Sequence, residues 1–193
     1  MDVYQAITRR RTIKQYTGEP IPRDVVERIL DAAVWAPNHH LTEPWRFTVL
    51  TGDAKDHLAE LRRQQVAEGM PETESAQARL RLDETYRKMS GAAALVVVTC
   101  RDHPDPVIQD ENRFATAAAT QNLLLAATAE GLATFWSSGI ARYEQARQDL
   151  QIPDDEFIVS IVHLGYPRVE LPGRRKSARE LTRWLDAVPG PVA

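Results

Sequence analysis

Four short stretches of the 193-residue chain gather side chains able to do chemistry. Near the start, Arg9, Arg10 and Arg11 stand together with Thr12 and, two residues on, Lys14. A second stretch, Ala36-Pro37-Asn38-His39-His40, is followed closely by Pro44-Trp45. A third reads Phe135-Trp136-Ser137-Ser138-Gly139, and a fourth is Arg174-Arg175-Lys176. Guanidinium forks match phosphate oxygens and polarised carbonyl edges better than a point charge does. Two basic clusters far apart in sequence can close on one phosphate, with Ser137, Ser138 and Gly139 adding hydroxyls and an approachable backbone. The chemistry these residues suit is the holding of an anion beside apolar rings, for which Trp45 and Trp136 are available.

The elements that must position them follow from apolar spacing. Asp2 is placed to cap a first helix in which Val3, Ala6 and Ile7 fall at helical spacing, with the arginines at its end. Gly18-Glu19-Pro20-Ile21-Pro22 breaks the pattern, and 23–35 predicts a second helix with Val26, Ile29, Leu30, Ala33 and Val34 on one face. Residues 44–50 read as a strand, and a polar amphipathic helix extends to Glu68. The span 70–78 is weakly patterned and reads as an excursion or lid, before a helix that ends near Lys88. The run from Ala92 to Cys100 predicts a strand buried on both faces and central in a sheet. Residues 110–131 predict a long helix, apolar on most sides and nearly enclosed; short strands at 133–136 and 158–164 follow. Helices and strands interleave without repeat or linker, so the expected fold class is α+β, as one domain over 1–193.

Charge makes the basic clusters local features, since 24 Lys and Arg face 27 Asp and Glu, a formal net charge of −3. A nucleic-acid-binding protein normally shows a basic face and a high isoelectric point, so no nucleic-acid partner is expected. No apolar run reaches the roughly 18 residues that span a membrane. The opening Met-Asp-Val-Tyr lacks the basic and apolar regions of a signal peptide. Cys100 is the single cysteine, which excludes an internal disulfide and a cysteine-based zinc cage and agrees with the expected cytoplasmic location.

The order of the segments resembles the FMN-dependent nitroreductase family. There, an Arg-Arg-Ser-x-Arg motif precedes a helix ending in Ala-Pro-Ser/Asp-x-x-x-x-Gln-Pro-Trp and a strand. Here the first motif reads Arg9-Arg10-Arg11-Thr12-Ile13-Lys14, and the second runs from Ala36-Pro37-Asn38 through Glu43-Pro44-Trp45. Residues 119–132 are similar to the family's long buried helix, Leu164-Gly165-Tyr166-Pro167 to its last-strand ending, and the basic tail to its final phosphate contact. The likeness covers nearly the whole chain and points to the compact, minimal branch.

The resemblance implies a nitroreductase-like three-layer fold: a central mixed or antiparallel sheet flanked by helices, in an intertwined homodimer with two FMN sites at the subunit interface. It assigns Arg9, Arg10 and Arg11 to the FMN phosphate, ribityl chain and pyrimidine edge, with Lys14 where the family often has another basic residue. Trp35 and His39 are implied to reach across to the partner's site. Trp136, Ser137 and Ser138 would line the flavin of their own subunit, and Arg174 and Lys176 would complete the phosphate site. Arg11 stands for the usual serine and Glu43 for the usual glutamine. The implied activity is ping-pong electron transfer from NAD(P)H through FMN to nitroaromatic, quinone or similar small acceptors, with no protein nucleophile. No Gly-x-Gly-x-x-Gly fingerprint occurs, so NAD(P)H is expected as a transient substrate.

Competing readings are weaker. Adjacent His39 and His40 point in different directions without a supporting carboxylate cluster, so no metal is expected. Ser137-Ser138 lacks a nucleophile elbow. Trp45 suits a core position, Cys100 an inert buried thiol, and Gln121 and Asn122 within the buried helix need hydrogen-bond partners. Two functional alternatives stay open. One is a non-catalytic FMN-binding, storage or sensing protein; the other is a specialised flavoenzyme of this fold, a reductive dehalogenase or flavin-cleaving enzyme.

Overall fold

The computed structural model describes residues 1–186; 187–193, the end of the span expected as one domain, lie outside the described residues. Helix α1 (Val3–Arg9) opens with a capping box, in which the Asp2 carboxylate accepts from the Gln5 N–H at 2.8 Å and the Gln5 side chain accepts from the Asp2 N–H. The chain then leaves the helix at Arg10 in an extended conformation.

Four strands, β1 (Trp45–Leu50), β2 (Ala94–Arg101), β3 (Ala133–Ser137) and β4 (Glu156–Gly165), form an antiparallel sheet ordered β1-β2-β4-β3. The segment after α1 runs beside edge strand β3, where a parallel bridge joins Thr12 to Thr134. Strand alternation sorts the core into two layers. Leu95, Val97 and Ile161 face α3 (Gly52–Glu68) and α4 (Ala76–Ser90), packing with Leu58, Leu61 and Met89. Val96, Val98 and Val162 face α2 (Arg23–Ala33) and α5 (Pro106–Ala129), packing with Ile29, Leu123 and Leu124. Fully burying each such side chain stabilises the fold by roughly 1.5–3 kcal/mol. The result is a three-layer α+β fold with the sheet in the middle.

Several boundaries differ from the expectation. Helix α5 begins at Pro106, because proline is tolerated in the first turn and the Asp105 carboxylate caps Val107 and Ile108. It is not enclosed within the chain, since Val107 is 66% and Phe114 73% exposed. Gln121 is exposed, correcting its expected burial, while Asn122 donates to the Ala32 carbonyl at 3.5 Å. Helix α2 ends at Ala33, so Trp35 falls outside it. The weakly patterned span divides at Ser75, whose hydroxyl caps α4. Two short helices, α6 (Glu144–Asp149) and α7 (Ala178–Leu181), went unforeseen because each is too brief to show an apolar period. No helix among the described residues is long and apolar enough to cross a membrane.

Candidate functional site

The chain leaving β4 doubles back along the N-terminal segment. Tyr16 bridges Pro167, the Thr17 N–H donates to the Tyr166 carbonyl at 3.0 Å, and the Arg168 N–H to the Gln15 carbonyl at 3.0 Å. This seam lays residues 169–173 against Thr8, Arg9 and Arg11. The Arg11 guanidinium donates at 2.7 Å to the carbonyls of Thr8 and Arg10, the first an orphan at the end of α1. It crosses Gly173 so closely that a Cβ there would stand 1.7 Å from its Nη2. Its Nε is buried without a protein partner. Beside it, burial above all and then the Arg175 and Arg11 cations hold the Arg10 guanidinium below its ordinary pKa. Among the described residues, no carboxylate pairs with Arg9, Arg10, Arg11, Arg174, Arg175 or Lys176. A converging set of unneutralised guanidiniums is a site for an anion.

The Arg175 cation is among the charges that act on Arg10, so the basic run of the tail and the N-terminal cluster fall within electrostatic reach of each other. The signal for Arg175 lay in the Arg174-Arg175-Lys176 run itself, which sequence alone cannot phase. Arg11 holds the end of α1 with two of its donors and lies directly across Gly173 of the tail.

A second feature lies on the α3/α4 face of the sheet. There β3 pairs with β4 so that Phe135 lies opposite His163 and Ser137 opposite Ile161. Lys14, Arg62, Lys88, Ser137, Gly139 and His163 are among the residues that line a cavity of about 320 Å³. That is near the lower end of small-molecule pockets, ~300–1,000 Å³, and suits part of a ligand better than a whole nucleotide. Lys14 Nζ sits 4.3 Å above the Phe135 ring centroid. Arg62 reaches from α3 to donate to the Gly139 carbonyl at 2.9 Å, and burial lowers its pKa. No carboxylate lines the cavity.

His163 is buried at the floor, 1% exposed. Burial pushes its pKa down to about 4, with Lys14 adding a smaller push and the bond to the Lys88 carbonyl opposing both. Its Nδ1 lies 3.1 Å from that carbonyl and its Nε2 3.1 Å from Ser137 Oγ. Arg62, Lys88 and His163 escaped the sequence reading. The histidine inside the apolar run 158–164 was the available signal for a polar floor.

The other expected residues divide. Ser137 and Ser138 line the cavity with Lys14. Trp136 points to the opposite face of the sheet and packs with the α2/α5 layer, so it does not share their cavity. Trp35 is 85% exposed. His39 opens a 3-10 turn, His39–Leu41, stacks on His40 with ring centroids 3.9 Å apart, and meets the Glu111 carboxylate through Nδ1 at 2.5 Å. His40, Leu41 and Glu43 all take left-handed φ values of 51°, 53° and 41°, a strained stretch pinned by Asn38 Oδ1 accepting from the Glu43 N–H at 2.9 Å. Neither Trp35 nor His39 reaches the cavity of its own chain. Trp45 is buried against Ala115 and Ala119, in the expected core role.

With this geometry in place, the comparison with known proteins is direct. The model of the nitroreductase family matches residues 7–166. The chain belongs to the nitroreductase family. A Methanothermobacter thermautotrophicus protein with the provisional name NADH dehydrogenase/NAD(P)H nitroreductase is 31% identical over 183 residues, covering 91% of this chain and 82% of its own. A nitroreductase-like family protein from Bacillus cereus superposes with a TM-score of 0.81 at 25% identity, covering 97% of both chains. A provisionally named nitroreductase from Desulfovibrio desulfuricans, solved in complex with FMN, gives a TM-score of 0.72 at 25% identity over 99% of each chain.

Proposed function

We propose that this nitroreductase-family chain is an FMN-dependent NAD(P)H oxidoreductase acting as a homodimer, reducing nitroaromatic, quinone or similar small acceptors. The observation that carries the reading is the pair of cationic features without carboxylate partners: Arg10, Arg11 and Arg175 at the seam, and Lys14 with Arg62 at the cavity. The first fits a phosphate monoester, and the orphaned Arg11 Nε needs an acceptor. The second fits the electron-rich edge of a fused ring. FMN, when bound, supplies the two-electron exchange between a reduced nicotinamide and an oxidised acceptor.

This chain's residues then have separable tasks. Arg10, Arg175 and Lys176 hold the phosphate, with Arg9 and Arg174 at its margin, while Arg11 keeps the tail in place across Gly173. Lys14, helped by Arg62 and Lys88, stabilises negative charge that develops beside it, an effect strengthened in a partly buried site. Ser137 and Ser138 orient the ring edge. Trp35 and His39, turned away from their own cavity, serve the partner's site, and Trp136 stiffens β3 from behind. The exposed Tyr4, Ile7, Trp35, Leu41 and Phe114 supply the apolar surface for that partner: α1 and the 39–41 turn both lie against α5. One site used in turn by nicotinamide and acceptor gives parallel double-reciprocal plots.

The test is a visible spectrum of the purified protein before and after anaerobic NADH or NADPH. A flavin spectrum bleached by either nicotinamide and restored by a nitroaromatic or quinone is expected. A protein that neither carries nor takes up FMN refutes the reading. A bound flavin that no nicotinamide bleaches would point to a binding or storage role.

A further inference from the structure

The cavity on β3 and β4 has a polarity that its cations alone do not set. Lys14, Arg62 and Lys88 offer donors only. Two hydroxyls differ: Thr85 spends its hydrogen on the Arg81 carbonyl of its own helix at 2.8 Å, and Ser137, on the sheet floor, has one hydrogen and two candidate protein partners, both on the inner side, His163 Nε2 at 3.1 Å and the Ile161 carbonyl at 3.3 Å.

The direction of this hydrogen follows from what each partner can do. The Lys88 carbonyl only accepts, so His163 Nδ1, 3.1 Å away, carries the ring proton when the imidazole is neutral. Nε2 is then a lone pair, and Ser137 donates to it. Were the ring doubly protonated, Nε2 would donate to Ser137 and the serine hydrogen would turn to the Ile161 carbonyl. In either state the hydrogen is spent on the protein, and Ser137 meets the cavity as an acceptor.

An acceptor set among donors is matched by a ligand edge of opposite pattern. A purely anionic or all-carbonyl edge satisfies the cations but leaves the Ser137 oxygen unpaired. An N–H flanked by two carbonyl groups satisfies both. We propose that Ser137, oriented by His163 as a positioning residue, reads an imide N–H, so that the cavity selects ligands with a carbonyl, N–H, carbonyl edge. The inference rests on the FMN reading for its ligand, because the pyrimidine ring of a flavin carries this edge at N3. It assigns Ser137 a defined polarity and gives His163, buried and outside any redox step, a reason to occupy an otherwise apolar strand.

The experiment is a binding titration of flavin-free protein with FMN and with 3-methyl-FMN, in which the imide hydrogen is replaced. Wild type is expected to prefer FMN by roughly tenfold, the upper end for one neutral hydrogen bond. Ser137→Ala should bind FMN about 3–10-fold more weakly and lose most of the preference. Ser137→Thr, which keeps the hydroxyl, should retain the preference. His163→Leu should narrow it to about threefold, since only the Ile161 carbonyl then directs the hydroxyl.

Equal wild-type affinity for the two flavins overturns the inference without any variant being needed. A full preference retained in folded Ser137→Ala also overturns it, because the methyl group would then be rejected by shape. An unchanged ratio in His163→Leu removes the part assigned to the histidine. Failure of wild type to bind FMN at all defeats the functional reading itself, whereas binding without discrimination defeats only this inference.

Discussion

The buried histidine makes the protein's stability depend on pH in a way that can be worked out in advance. His163 has a folded-state pKa of about 4 against an ordinary value of 6.5. Between these values the unfolded chain binds a proton that the folded chain refuses. The associated stability is therefore fully present above the ordinary value and is lost as pH falls toward 4. Integrated from about pH 7.5 to about pH 4.5, the linkage amounts to roughly 2–3 kcal/mol from this one side chain. Urea unfolding at fixed protein concentration, followed by tryptophan fluorescence across that range, measures the total slope for wild type. The same series on His163→Leu isolates the histidine, because every other titrating group is common to both proteins. The variant should lose about 1–3 kcal/mol near neutral pH, having left the Lys88 carbonyl without its donor. Its stability should then fall by roughly 2–3 kcal/mol less than wild type on acidification. Parallel curves would refute the reasoning, since they would mean that His163 takes up its proton equally in the folded and unfolded chain.

Three further outcomes are expected. Arg10→Ala and Arg175→Ala should each weaken FMN binding by about 1.5–3 kcal/mol, the range for a hydrogen bond to a charged group, while Arg174→Ala changes it less; fluorescence titration distinguishes this order from an equal effect of all three. Gly173→Ala puts a methyl group 1.7 Å from Arg11 Nη2 and should displace that side chain, weakening FMN binding and speeding proteolysis of the tail, with Arg11→Ala adding little in the same background. Trp35→Asp should shift the protein to a monomer on size-exclusion chromatography, because it places a charge in the exposed apolar surface on α5's side of the molecule; an unchanged elution volume at micromolar concentration would remove Trp35 from the interface.

Much of the fold was legible because it is local or periodic. The run Ala-Leu-Val-Val-Val of β2 can satisfy itself only between two apolar layers, and Asp2 marks a helix start through its own side-chain oxygen. The start of α5 was harder, because a proline that breaks a helix in its middle is acceptable in its first turn. Its exposure was harder still, since an apolar face on a helix has the same pattern whether its own chain or a second one covers it.

The candidate anion site was also readable, from arginine clusters in a slightly acidic chain. Which arginine does what was not. Adjacent residues in an extended segment point to opposite sides, so a run of three basic residues yields a phase only when its neighbours are placed, here through the Thr12–Thr134 bridge and the Tyr16–Pro167 seam. The same alternation separated Trp136 from Ser137, although they are consecutive. Most element types, the buried central strands and the clustering of unpaired cations follow from near neighbours in the sequence. Only the folded chain shows that Arg11 lies across Gly173 and that His163 lies beneath Ser137. Those contacts join residues far apart along the chain, and only the sheet register and the returning tail bring them within hydrogen-bonding reach.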